Sequence, residues 1–600
     1  MLVTNVEGTA FKPPKLFFAL QDQPHAAAVV NALKDWHDQI TWEPSRGDVE
    51  FRVFKSEAEI AAVFENGCTP AEAVVIFDGQ TSKRFTYAAT GRDGTTIPPW
   101  ARGTQWGVVV GRAIGEHTRN CAQQVMADML GPNGFEVRIN DGHFPWGNRR
   151  KGERPPQHIK LPEPTREILE RLQMGPNLLE GAHGDFVNML PHGSRISWIR
   201  VPGEAATYPQ DAMERRLRAI AAFERASCAV LAEHPEVHPL LMAGVHLPDP
   251  WLETCYLKPQ SANGPVTSWS VRRPDMHVCG ARLVASENDE MPGGFTDLYH
   301  VDQAYGLHRN EWNACLSWLH QDGALVFVVS SDWSAPYITS TRWLVEELRR
   351  RGFDTRMVTT DRLEDIKITN GGVKLDGERV GTIWRQFPVF ETQGLLADLV
   401  RAAQEGKVRM VPEFAHFGNK SWFALFHQFE DAFRRHLTDE DFATLMELLP
   451  ESHLVVHGQD CFPFTVAGFS IENLQSLRDL PKEARDLLVL KITGANNLSA
   501  RSLGVLVGAA QSEDTWRVWL SERQARQQPF IVQRRFDTSV ETLAVLNTRT
   551  NAAEAFRCRV LLRPWVVGGK LVSSHNCATP HWTTKVHGMV DMAVQPVVYV

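Results

Sequence analysis

The sequence predicts an α/β (α+β) protein, and three stretches carry that expectation. "ALVFVVSS" at 324–331 is an uninterrupted apolar run of strand length. "TRWLVEELRRRG" at 341–352, which follows, has the three- and four-residue apolar spacing of an amphipathic helix and stops at Gly352; "DTRMVTT" at 354–360 is strand-like again. A strand, a crossover helix and a second strand make one half of an open, mainly parallel sheet.

The remaining elements follow from the N-terminus. Residues 1–195 are expected to form an N-terminal region of unreadable role, with helical spacing in "AAAVVNALKDWHDQI", a strand in "AEAVVIFDG", and a linker or long surface loop over 140–165. "YPQDAMERRLRAIAAFERASCAVLAEH" at 208–234 has an early Asp, one apolar stripe and a charged opposite face, which predicts a long helix. Beyond the parallel unit, "TNGG" and "LDGE" punctuate short hairpin strands before "VGTIWRQF". "DLLVLKI", "FIVQRRF", "RCRVLLRPWVV" and "GGKLVSS" are the clearest strands of the C-terminal part.

Length and composition exclude several classes. Six hundred residues exceed one core, on a prior of about 100–200 residues per domain. With 63 basic against 71 acidic residues the net charge is -8, so no nucleic-acid partner is expected. No uncharged apolar run approaches the ~20 residues of a membrane span, so no membrane partner is expected either. The N-terminus lacks the basic and apolar segments of an export signal. Nine cysteines without a C-x-x-C pair fit reduced thiols, and the expected location is cytoplasmic.

The chemistry concentrates around "SENDEMPGGF" at 286–295, which ends the second of two strand-like runs joined at Cys279-Gly280. With an odd turn, for instance three residues around Gly280, Arg273, Asp275, Glu287 and Asp289 share one face; an even turn separates Asp275 from Glu287. In the first register three carboxylates meet one guanidinium. Hard oxygen ligands at that spacing suit Mg²⁺ with phosphate oxygens completing its shell. Lys420, before the apolar helical stretch in "FGNKSWFALF", and Lys491, where a strand runs into a loop of small residues through Ser502 and Gly504, are the candidate phosphate ligands. Neither G-x-x-x-x-G-K-[ST] nor G-x-G-x-x-G occurs.

Taken in order, "RPD" at 273–275, "END" at 287–289, "GNK" at 418–420, "LVLK" at 488–491, "FIVQ" at 530–533 and "LLRPWVVGGKLV" at 561–572 resemble the circularly permuted ATP-grasp ligases, in particular the synthetase domain of glutathionylspermidine synthase. The resemblance covers roughly residues 200–600, and the module is assigned to 196–600. The acidic motif precedes Lys491 by about 200 residues, as in the permuted group. The resemblance implies a permuted ATP-grasp module with ATP and Mg²⁺ as cofactors. It implies Asp275, Glu287 and Asp289 as metal ligands, Arg273 on the transferring phosphoryl group, Lys420 and Lys491 on ATP phosphates, and Gln533 at the adenine. Asp289 stands where that family commonly has Asn. The implied reaction joins a small-molecule carboxylate to an amine through an acyl phosphate, with ADP released. A homo-oligomer is left open.

Two other readings start from other residues. His300-x-Asp302 is the first part of a non-haem iron triad, which would make the chain an oxygenase. His575, Cys577, His581 and His587 are a loose zinc-like set. A non-catalytic nucleotide-binding protein with the same fold is the third alternative.

Overall fold

The computed structural model describes residues 205–600 apart from 332, 335–336, 460, 497, 500–503, 512, 548–551 and 582–592, together with the backbone of short strands between residues 2 and 200. The expected N-terminal helix and Ser502 lie outside the described residues. The strand expected in "AEAVVIFDG" is Ala73–Phe77, and His158–Ile159, inside the stretch expected as a linker, is a short strand.

The long helix is Gln210–Glu233. Met213, Leu217, Ile220, Phe223, Ser227 and Val230 recur at three and four residues and form its buried face. Glu224 lies beside this stripe, 1% exposed, which a carboxylate tolerates only when fully bonded. It accepts from Ser268 Oγ (2.7 Å), Trp269 N (3.0 Å) and Asn288 Nδ2 (2.9 Å), and Arg272 lies 3.1 Å away. The helix is thereby keyed to the strands that carry the acidic motif.

The parallel unit forms as its apolar pattern requires. Ala324–Val329, buried at every position, pairs in parallel with Thr355–Thr359 on one side and Glu378–Gln386 on the other. Ile338–Arg350 and Leu395–Gln404 are the connecting helices, and Arg409–Val411 adds a fourth parallel strand. Ile366–Thr369 and Gly372–Leu375 extend the sheet as antiparallel hairpin strands, turned at the two Gly-containing tetrapeptides.

Two further sheets complete the site-bearing part. One is antiparallel, in the order Ser452–Val455, Phe530–Arg534, Leu488–Ile492, Val505–Val507, with Trp516, Trp519 and Leu520 of the Glu513–Ala525 helix in its core. The other has ten strands and is built around the long hairpin of Ala552–Val567 and Lys570–Pro580. It takes in Pro274–Cys279, Arg282–Asn288, Glu541–Asn547 and Ala593–Tyr599, and also Trp198–Arg200 and His158–Ile159. The result is a mixed α/β protein with several sheets. Among the described residues no helix is long and apolar enough to cross a membrane.

Candidate active site

The acidic hairpin reaches its face by a route the sequence did not indicate. Cys279 pairs with Arg282, so the connection is the two-residue Gly280-Ala281 and not an odd turn. By itself that would separate Asp275 from Glu287. Between Asp275 and Met276 the register shifts: Met276 pairs with Ala285 and Asp275 with Glu287, leaving Ser286 as an extra residue. This β-bulge reverses the alternation, so that Arg273, Asp275, Glu287 and Asp289 share one face.

Each carboxylate on that face has a cation. Asp275 accepts from Arg273 Nε at 3.1 Å and from Arg563 Nη2 at 3.0 Å. Asp289 is bridged by Arg273 Nη2 and accepts from Met291 N at 2.9 Å. Glu287 lies 3.1 Å from Lys420 Nζ. Glu290, from the same motif, turns away to Arg385 (3.2 Å) and Val389 N (3.1 Å).

Burial pushes the Asp289 carboxyl up, Arg273 opposes this, and Glu287 and Asp275 add to it. Arg563 is disfavoured by burial, but Asp275 more than offsets that and holds it protonated. Arg563 sits in the middle of the apolar "LLRPWVV" strand and was missed as a site residue; an arginine inside a buried run was the available signal.

The "GNK" segment brings in Lys420. A side chain at 418 would run into Glu290, Trp269 and the Asn288 carbonyl, so only glycine allows this close approach. Buried Asn419 donates to Leu241 O (2.9 Å) and accepts from Ser421 N (3.0 Å) and Gly494 N (3.2 Å), tying this loop to the one that follows Lys491. Lys420, immediately before the Ser421–Gln428 helix, donates to Ser499 O at 2.9 Å. Burial disfavours its charge, and the Glu287 carboxylate reverses this, so its pKa is raised.

Lys491, on the Leu488–Ile492 strand, donates to Ser286 O at 3.3 Å. Burial and then the nearby Lys420 push it down to about 8. Gly504 packs where a Cβ would meet Ile492 and the Leu498 carbonyl. Gln533, on the neighbouring strand, is 1% exposed and donates to Ser452 Oγ at 2.9 Å. It lies outside the cleft lined by Arg273, Glu287, Asp289, Lys420, Tyr337 and Arg563, whose volume is ≈ 140 Å³.

The donor set discriminates among the three expected metal ligands. Glu287 and Asp289 line the cleft with side chains 27% and 24% exposed. Asp275, with a 2% exposed side chain, has both oxygens on guanidinium groups. Two cleft-facing carboxylates with room for phosphate oxygens fit Mg²⁺, which commonly keeps only one or two protein carboxylates. Among the described residues no group of three or more His, Cys, Asp and Glu side chains is arranged to hold a metal ion.

That geometry also corrects the iron reading. His300 and Asp302 lie on the Phe295–Tyr305 helix and not on a strand, and residues two apart on a helix point in different directions. His300 packs edge-on against the Trp343 ring (5.0 Å), and Asp302 accepts from Trp312 Nε1 at 2.7 Å. His575 and Cys577 sit on the Lys570–Pro580 strand; His587 is outside the described residues.

No family model and no curated protein matches this sequence. Among solved structures the chain is similar to a glutathione synthetase-like effector from Globodera pallida in its apo form, at 11% identity and a TM-score of 0.42, covering 73% of this chain and 97% of that one. It is also similar to a protein of Methylobacillus flagellatus KT assigned as a gamma-glutamylcysteine synthetase, at 12% identity and a TM-score of 0.30, covering 63% of this chain and 84% of that one. Likenesses this loose carry no argument about fold or activity.

Proposed function

We propose that the chain is an ATP- and Mg²⁺-dependent carboxylate-amine ligase that releases ADP, built on a circularly permuted ATP-grasp module over residues 196–600. One observation carries the reading: Arg273, Lys420, Lys491 and Arg563, from four separate segments, gather beside two cleft-facing carboxylates. Such a set matches a polyphosphate with a bound divalent cation. The chain order, acidic motif before both lysines, is the one expected of the permuted fold.

In this reading Lys420 and Lys491 hold the ATP phosphates, and Ser502 and Gly504 are further nucleotide-binding residues. Gln533 contacts the adenine. Glu287 and Asp289 would hold Mg²⁺, which neutralises charge on the phosphates when bound. Asp275 acts one step removed, by fixing Arg273 and Arg563.

The substrate carboxylate oxygen attacks the γ-phosphorus, the bond to the bridging oxygen breaks, and ADP leaves. Arg273 and Arg563 stabilise the charge on the transferring group, and the same guanidinium groups polarise the acyl phosphate. The amine nitrogen then bonds to the acyl carbon, phosphate departs, and the amine proton passes to solvent.

The test is thermal stability with a non-hydrolysable ATP analogue and Mg²⁺, singly and together. Ligand at 100 times its Kd stabilises the native state by about 2.7 kcal/mol. The expected rise requires both ligands and disappears in Glu287→Ala. A melting temperature indifferent to nucleotide would end the ligase reading.

A further inference from the structure

The cleft has a second wall that the phosphate chemistry does not use. Besides the charged groups, the cleft is lined by Met291, Trp333, Tyr337, Pro388 and Phe390. Trp333 and Phe390 meet edge-on, with ring centroids 5.0 Å apart. Their two loops are cross-tied: Trp333 N donates to Ser330 Oγ (2.8 Å), which donates to Glu391 Oε2 (2.6 Å). The wall is therefore held in place before any ligand arrives.

Tyr337 joins the two walls. Its ring lies so close over Gly293 that a side chain at 293 would collide with it, and the Gly293 carbonyl accepts from Arg273 Nη1 at 2.6 Å. A molecule whose carboxylate rests on Arg273 and Arg563 would therefore place the rest of its body against these rings. The nucleobase is expected elsewhere, since Gln533 does not line this cleft.

Charge selects the kind of molecule. Asp289, Glu287 and Glu290 are already matched to Arg273, Lys420 and Arg385. With Glu287 and Asp289 given over to Mg²⁺ and Glu290 held by Arg385, no carboxylate of this cleft is left to receive an ammonium group, whereas Arg273 and Arg563 attract a carboxylate. Space sets an upper limit: the whole cleft is ≈ 140 Å³, no larger than a cavity of about 150 Å³ that takes up benzene, so the acid must be compact.

We infer that the acid substrate is a compact carboxylic acid with an apolar body, aromatic or branched aliphatic, seated on Trp333, Tyr337 and Phe390. This deepens the ligase reading and rests on it.

The experiment uses the full chain with ATP, Mg²⁺ and hydroxylamine, which attacks an acyl phosphate at carbon and expels phosphate to leave a hydroxamate. The probes are 3-phenylpropanoate and 4-methylpentanoate against glutamate and glutathione. The expected result is hydroxamate and ADP from the apolar acids at ten or more times the kcat/KM of the polar ones. Trp333→Ala and Phe390→Ala should raise KM for the apolar acid roughly 10-fold or more, the range for a lost apolar contact, while leaving KM for ATP unchanged.

Turnover of glutamate or glutathione in preference to the apolar acids would overturn the inference. So would a rise in KM for ATP alone in Trp333→Ala, which would put the nucleobase on this wall. Nucleotide-dependent stabilisation without hydroxamate from either apolar acid would also overturn it, while leaving the nucleotide site standing. Absence of that stabilisation identifies failure of the ligase reading itself.

Discussion

Asp275 has one carboxylate oxygen 3.1 Å from Arg273 Nε and the other 3.0 Å from Arg563 Nη2, all three side chains being nearly excluded from water. Arg273 also reaches Asp289, but for Arg563 the charged Asp275 is the carboxylate partner, so neutralising Asp275 removes a buried ion pair. Asp275→Asn keeps the shape and removes the charge, so the loss on urea denaturation should be about 3 kcal/mol or more, within the range for breaking a buried pair. A loss below about 1 kcal/mol would show that the arginines have other adequate partners. Lys491 gives a prediction in pH. Its folded pKa is lowered to about 8 by burial and Lys420, and only its protonated form attracts phosphate. Affinity for the ATP analogue with Mg²⁺ should therefore fall as pH rises through about 8, by up to about tenfold per unit, and Lys491→Arg should flatten the profile. The apo protein responds oppositely: the penalty for a buried charged lysine is fully present below pH 8 and is relieved between about 8 and the unfolded value of 10.5, so this group's contribution to stability rises there.

At the scale of the element, the bulge at Ser286 decides whether there is a site at all. With a two-residue turn, an unbulged pairing sends Asp275 and Glu287 to opposite faces of the sheet. Deleting Ser286 should leave the hairpin paired but rotate the 287–289 segment, abolishing stabilisation by ATP analogue and Mg²⁺ with little change in the apo melting temperature. Retained nucleotide binding would mean that the parity of this strand is not what assembles the face. The bulge also marks where sequence reading stopped. The strand–helix–strand unit, the 24-residue helix and the strands bearing Lys491 and Gln533 were legible because their apolar periods are local. A bulge is a pairing property and leaves no periodic trace, so the shared face of Asp275 and Glu287 was anticipated through a turn length the hairpin does not have. For Arg563 the arginine in a buried run was a signal, but its partner was illegible for a related reason: nothing local says that position 563 lies on the strand next to position 275. His300 and Asp302 misled because residues two apart share a face on a strand but not on a helix, and the segment from Phe295 is a helix.

At the scale of the whole molecule, the ten-stranded sheet raises the question of where the site-bearing module begins. Trp198–Arg200 lies between Glu541–Asn547 and Ala593–Tyr599, pairing with both, and His158–Ile159 pairs with the Ala552–Val567 strand that carries Arg563. A module cut at 205 would leave the facing edges of 545–547 and 593–594 without their partner strand. Each lost backbone hydrogen bond is worth about 1 kcal/mol, and more where the abandoned groups stay buried. A chain of 158–600 keeps both short strands, and one of 196–600 keeps the first-named alone. The expected order of melting temperatures is 158–600 highest, 196–600 intermediate and 205–600 lowest, with the last losing nucleotide-dependent stabilisation because the strand holding Arg563 shares that sheet. Equal melting temperatures for the three would mean that the sheet closes without these strands. A collapse of 196–600 as severe as that of 205–600, with 158–600 intact, would move the module's start to between residues 158 and 196, making that segment a structural partner of the site.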